Sequence, residues 1–145
     1  MQRVSYQEDY FGWLRENAQL IREGKLSEID AENIAEELES MGKSEKRELS
    51  NRLTILLLHF LKWQFQTAKR SKSWRNTIAV QRIDIQELLE DSPSLKSEIA
   101  DKISVAYEKA ILAAEVETGI EKQNFPENCP FTLEQILNES FLPEE

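Results

Sequence analysis

A chain of 145 residues with a formal net charge of −9 is long enough for one domain with its own core. Hydrophobic residues make up 40% and charged residues 31%, with four Gly and four Pro, a balance that excludes a disordered chain and favours long amphipathic helices. The one cysteine, Cys129, excludes an intrachain disulfide and reads as a small apolar filler in a loop.

Ser5-Tyr6-Gln7-Glu8 has the form of a capping box, and Tyr10, Phe11, Leu14, Ala18 and Ile21 then recur at helical spacing up to Gly24, a natural stop. A second helix is predicted from Asp30 as N-cap, with Ile29 and Ile34 placed as a hydrophobic staple. Its apolar stripe is Ala31, Ile34, Ala35, Leu38 and Met41. Gly42 is expected to interrupt, and Ser44 to cap a third helix. That helix is the most apolar, with Leu49, Leu53, Leu56, Leu57, Phe60 and Leu61 in one broad stripe, and reads as the central element. Thr67 to Ser73 is polar and basic and suits a connection. The fourth helix carries Trp74, Ile78, Ile85, Leu88 and Leu89. Ser92-Pro93 predicts the cap and first position of a fifth, with Leu95, Ile99, Ile103, Ala106, Tyr107, Ala110 and Ala114 inside it and Gly119 closing it.

In the tail, Phe125-Pro126 and Cys129-Pro130 forbid a continuous helix. Thr132-Leu133-Glu134-Gln135 is a second capping box, with Phe131 and Ile136 as its staple. A short last helix is expected there, with Phe131, Ile136, Leu137, Phe141 and Leu142 packed back on the bundle. The predicted fold is all-α: one domain over residues 1–145, a bundle of about five helices plus a short C-terminal helix. The N-terminus lacks the apolar stretch of a signal peptide. The most apolar run, Leu53 to Leu61, is too short to span a bilayer, so the expected setting is the cytoplasm, with no membrane partner.

Several motifs together resemble a known family. They are Asp9-Tyr10 with Trp13, then Ala35-Glu36-Glu37-Leu38-Glu39-Ser40-Met41-Gly42-Lys43-Ser44. His59-Phe60-Leu61-Lys62-Trp63 follows, then Ser73-Trp74 with Thr77-Ile78 and Gln81-Arg82. Asp91-Ser92-Pro93-Ser94-Leu95 and the Phe125-Pro126, Cys129-Pro130-Phe131-Thr132 tail complete the set. In this order, from Tyr6 to Pro143, the chain resembles domain of unknown function family 29, a bacterial family. The resemblance implies a helical fold and no established activity.

Charge is unevenly placed. Residues 1–48 carry −5 and residues 84–145 carry −11, whereas residues 49–83 hold seven bases and no acid. Those bases are Arg52, Lys62, Lys69, Arg70, Lys72, Arg75 and Arg82, with His59, Trp63 and Trp74 among them. Cations interleaved with flat rings suit phosphates and bases, and Lys62, Trp63, Arg70, Trp74, Arg75 and Arg82 are the candidate anion-binding residues. The alternative is that the flanking acidic helices neutralise the block and that the tryptophans are core or boundary residues. Arg52, His59 and Gln66, spaced by seven, share one helix face. Arg52 and His59 are candidate catalytic residues in a metal-independent ribonuclease-like reading, with His as acid or base and Arg stabilising phosphorane charge. Against it stands a structural, hydrogen-bonded His59.

Glu37 falls at the edge of the second helix's stripe, while Glu32, Glu36 and Glu39 point outward. A half-buried carboxylate wants a cation, so Glu37 is expected in an interhelix salt bridge with Arg75 or Arg82. A di-metal carboxylate site needs Glu-x-x-His pairs on two helices. The one His is preceded by Leu56 where Glu should stand, so no metal and no cofactor is predicted. The leading expectation is a noncatalytic binding or interaction module for an anionic partner, nucleic acid or an acidic protein surface. Self-association of a basic with an acidic face is a further option.

Overall fold

Helix α1 (Tyr10–Arg22) starts one turn later than the first capping box predicts. The Ser5 hydroxyl accepts from the amides of Gln7 and Glu8 at 3.3 and 3.4 Å, but the segment it organises is a turn. The helix is capped instead by Asp9, whose Oδ1 accepts from the Gly12 amide at 3.0 Å. Gly24 ends it as expected. With φ at 73°, it lets its own amide reach the Ile21 carbonyl and the Lys25 amide reach that of Leu20, at 3.0 and 2.9 Å, the paired bonds of a Schellman motif.

This is a computed structural model, and it describes residues 3–144. Helices α2 (Ala31–Phe65), α3 (Lys72–Asp91), α4 (Ile99–Thr118) and α5 (Leu133–Leu137) follow, with 3-10 turns at Thr67–Lys69, Pro93–Ser97 and Lys122–Asn124. There is no strand among the described residues. The predicted break at Gly42 is absent, because the second and third expected helices are one α2 of 35 residues. Glycine costs a helix interior about 1 kcal/mol relative to alanine, a penalty that 35 residues in register absorb. What changes at this point is packing: the chain divides into two compact units, Met1–Lys43 and Ser44–Glu145.

In the first unit the expected apolar stripes are not the buried ones. Phe11, Leu38 and Met41 are 61%, 64% and 60% exposed, and Tyr10, Leu14 and Ile21 are exposed as well. Helix α1 buries Trp13, Asn17 and Leu20 instead. Polar bonding selects that face. Asn17 donates to the Trp13 carbonyl at 3.0 Å and accepts from the Asp30 amide at 2.8 Å. The Trp13 indole N–H donates to Asp30 Oδ2 at 2.9 Å, and Asn33 Nδ2 donates to the same oxygen at 2.8 Å. A buried Asn with its amide partnered on both sides is stable where an unsatisfied one is not.

The second unit follows the hydrophobic pattern closely. Leu49, Leu53, Leu56, Leu57, Phe60 and Leu61 of α2 are all fully buried, one core with Ile78, Ile85 and Leu89 of α3 and Tyr107 of α4. Ala106, Ala110 and Ala114, one turn apart, are buried completely and keep that face of α4 thin. Pro93 opens a 3-10 turn rather than the α-helix, and α4 proper begins at Ile99. Gly119, at φ 76°, closes it. The Thr132 capping box forms as expected, with Gln135 bonding in both directions. Phe131 and Phe141 meet Phe60 edge-on at 5.0 and 5.6 Å between centroids, which places the tail on the core.

Candidate anion-binding site

The end of α2, the connection after it and the start of α3 carry most of the positive block, all within the second unit. Its seven cations divide into two groups. Arg52 is held by two carboxylates, Nε at 3.0 Å from Glu48 Oε1 and Nη1 at 3.0 Å from Asp84 Oδ2. Lys62 lies 4.8 Å from the Trp74 ring centroid and 3.0 Å from Glu117. Arg82 is only 3% exposed. It donates to the carbonyls of Ile136 at 2.9 Å, Gln135 at 3.1 Å and Glu139 at 3.5 Å, with its guanidinium 5.1 Å from the Phe60 centroid. It is therefore a core residue that caps α5, not a surface cation.

The other four are Lys69, Arg70, Lys72 and Arg75, and none forms an ion pair among the described residues. Ser71 explains the local geometry. Its hydroxyl accepts from the Trp74 amide at 3.1 Å as the N-cap of α3, so Lys72 and Arg75 fall in the first turn. Arg70 Nε donates to the Trp63 carbonyl at the end of α2 at 2.7 Å, which fixes the direction of the guanidinium. Arg70 and Arg75 lie 5.0 and 5.5 Å from the centroid of the Trp63 ring, within cation–π range. A pocket of about 380 Å³ is lined by Trp63, Arg70, Ser71, Lys72, Arg75 and Asn76. Arg70 Nη2 is buried with no hydrogen-bond partner among the described residues.

Of the candidate anion-binding residues, the structure brings Trp63, Arg70 and Arg75 together. Trp63 is 6% exposed and its ring is already faced by two arginines, so it positions cations rather than stacking a base. Trp74, half-buried, likewise carries Lys62. Ser71 and Asn76 escaped the sequence reading; the readable signal for Ser71 was a small hydroxyl residue ending a polar connection just before a helix.

His59 and Arg52 share a face of α2, but no hydrogen bond joins them among the described residues. The Ile55 carbonyl accepts from His59 Nδ1 at 2.8 Å, because a carbonyl cannot donate; this leaves Nε2 as the unprotonated nitrogen of a neutral ring. Burial pulls the His59 pKa below its usual 6.5, with the Ile55 hydrogen bond opposing and Lys62 assisting. The expected Glu37 salt bridge does not form. Both its carboxylate oxygens accept from tyrosines, Oε2 from the Tyr6 hydroxyl and Oε1 from that of Tyr10. These tyrosines lie against Trp13, at 4.6 and 6.2 Å between centroids. The phenols supply the donors that a cation was expected to supply, and hold the Glu37 carboxyl below the usual range. In return the hydrogen bond to Glu37 pushes Tyr6 up to about 12.

Burial raises the half-buried Cys129 thiol, and its Sγ lies 3.6 Å from the Phe131 carbonyl oxygen, consistent with a filler. Among the described residues no three acids, His or Cys group as metal ligands, and no helix is long and apolar enough to cross a membrane. Comparison with curated proteins and with solved structures finds no match. One family model does match, over residues 5–142, and covers the capping segment, the α2 motifs, the cation pocket and the tail alike. The chain belongs to the family described as Domain of unknown function DUF29.

Proposed function

We propose that this protein is a noncatalytic binding module, acting as one helical domain over residues 1–145 in the bacterial cytoplasm. It holds an anionic partner at the pocket between the end of α2 and the first turn of α3. One observation carries the reading: Arg70, Lys72 and Arg75 line one pocket with Trp63, Lys69 directly precedes Arg70 in the chain, and none of the four has an acid partner among the described residues. The other three cations of the block are taken up by carboxylates or carbonyls. On a chain of net charge −9, four uncompensated cations within seven residues are a local field of the opposite sign, the arrangement that draws an anion to one place.

The test is a titration of the full chain with short single-stranded RNA, short DNA and a polyglutamate peptide at low and high salt. At least one of them is expected to bind at low salt, to weaken with added salt, and to lose affinity in Arg75→Ala. Absence of binding to every anion at low salt, or binding indifferent to salt, overturns the reading. The ribonuclease alternative has less support, since the Arg52 guanidinium is engaged by Glu48 and Asp84. It predicts chelator-insensitive RNA cleavage abolished by His59→Ala.

A further inference from the structure

Resting on that reading, we infer that the pocket takes a single phosphate monoester group rather than the phosphodiester backbone of a nucleic acid. The shape of the cluster favours a compact anion. The four cations lie within residues 69–75, a 3-10 turn and the first turn of one helix, and three of them, Arg70, Lys72 and Arg75, line one pocket of about 380 Å³. A nucleic-acid backbone presents one charge per phosphate along a strand and is followed by a band of cations. No such band continues here, because the next cations along α2 and α3 are already engaged. Residues 84–145 of the same unit carry −11, which repels a long polyanion more than a compact one.

Stacking points the same way. Nonspecific single-strand binding relies on open aromatic faces. Trp63 is buried against Arg70 and Arg75, and Trp74 carries Lys62. What remains open is hydrogen-bonding capacity. The Arg70 guanidinium is fixed through Nε to the Trp63 carbonyl, and its Nη2 has no partner among the described residues. Arg75 adds a second planar fork, Lys72 a point charge, and Ser71 and Asn76 neutral polar groups. Two guanidinium forks and an ammonium converging on one small volume match the geometry and the near-double charge of a monoester. A diester has one charge and two substituted oxygens. A phosphorylated side chain and a phosphorylated small molecule both present this group, and the chemistry recognised is the same.

The experiment is NMR titration of the isotope-labelled full chain, following the amides of residues 69–76. The probes are inorganic phosphate, a phosphoserine peptide with its unphosphorylated twin, a nucleoside 5′-monophosphate, and a short oligonucleotide without terminal phosphates. Saturable shifts confined to the pocket are expected with inorganic phosphate, at a Kd of about 1 mM or tighter, and with one or both of the monoesters. Binding should tighten as pH rises through the second phosphate pKa of about 6. Arg75→Ala, at an exposed position, should weaken phosphate binding about tenfold. Arg70→Lys keeps the charge but loses the fork, and should weaken it comparably; Arg52→Lys, at a cation already engaged by Glu48 and Asp84, should leave it unchanged. Tighter binding of the peptide or of the nucleotide identifies the source. If the oligonucleotide binds and phosphate neither binds nor competes, the monoester assignment falls while the anionic-partner reading stands. If no anion shifts these amides, both fall.

Discussion

Replacing Arg82 by Met tests whether a charged residue in the core is structural. The substitution keeps a long apolar stem of similar reach and removes only the guanidinium. Three carbonyls near the end of α5 then lose their donor, two at 2.9 and 3.1 Å and one at a marginal 3.5 Å. The last carbonyls of a helix have no intrahelical partner, and α5 has only five residues, so these bonds are a large part of what anchors it. A hydrogen bond to a charged group contributes about 1.5–3 kcal/mol, so the two good ones total roughly 3–6 kcal/mol. Relief of the desolvation cost of a buried charge returns part of that. A net loss of about 2–4 kcal/mol is expected. With a urea slope of about 1–3 kcal/mol per molar, the unfolding midpoint should fall by roughly 1–2 M. Hydrogen exchange should show the amides of Leu133–Leu137 losing protection before those of α2. A variant within about 0.5 kcal/mol of the parent, the range of ordinary surface changes, would refute the structural role.

Glu37→Gln should bring the Tyr6 phenol down from about 12 toward its ordinary 10, seen in the ultraviolet absorbance of the phenolate. An unchanged titration would show that the carboxylate does not hold it. For the parent protein the signs are fixed: the Tyr6 contribution is complete below pH 10 and is lost as pH rises toward about 12, while that of Glu37, whose pKa is lowered, is lost in acid as the carboxyl protonates. Gly42→Ala, with open space around the added methyl, should stabilise by about 0.5–1 kcal/mol. Gly119→Ala, at φ 76°, should cost about 1–2 kcal/mol. Urea unfolding that moves both the same way contradicts the continuous α2 or the left-handed cap. His59, the one histidine, should titrate by NMR below 6.5 because the folded state disfavours its charge. Its contribution to stability is therefore complete above about 6.5 and erodes as pH falls below that. A pKa at or above 6.5 rules out the half-buried, neutral ring.

Periodicity served the second unit well because one apolar stripe on each helix had one place to go. Leu53, Leu57 and Leu61 on α2, Ile78 and Ile85 on α3, and Ala106 and Ala110 on α4 are all buried as their spacing implied. The first unit misled the same reasoning. Its helices each offer two plausible faces, and the buried one is chosen by Asn17, Asp30 and the Trp13 indole N–H. Hydropathy ranks Asn and Asp as outward, so a face settled by bonds between them is invisible to it. Glu37 was misread for a related reason. A sequence shows that a carboxylate near a core needs donors, but not whether these come from an arginine far along the chain or from two tyrosines one turn before α1 and at its start. Gly42 lies beside the boundary between the two units, so it marks where packing changes even though the helix assignment is unbroken there.

The division of the seven cations follows from where each sits on its helix. Arg52 has Glu48 one turn before it on the same face and Asp84 within reach on α3, so the fold supplies its counter-charge. The start of α3 supplies none. Its first turn holds no acid, although a helix N-terminus carries about half a positive charge and ordinarily favours Asp or Glu. Lys72 and Arg75 stand there instead, with Lys69 and Arg70 just before. Each such placement is unfavourable by roughly 0.3–1 kcal/mol at low ionic strength, and mutual repulsion adds to it. Cation–π contacts of Arg70 and Arg75 with Trp63 return a similar amount, but they also keep both guanidiniums at the one pocket. On the proposed reading, this local rule is broken for the sake of a ligand, at some cost in stability. An acid substituted into that turn, such as Ser73→Glu, should therefore stabilise the folded chain by a few tenths of a kcal/mol to about 1 kcal/mol while abolishing phosphate binding. Gain in both properties, or loss in both, would show that the cations answer to the fold and not to a ligand.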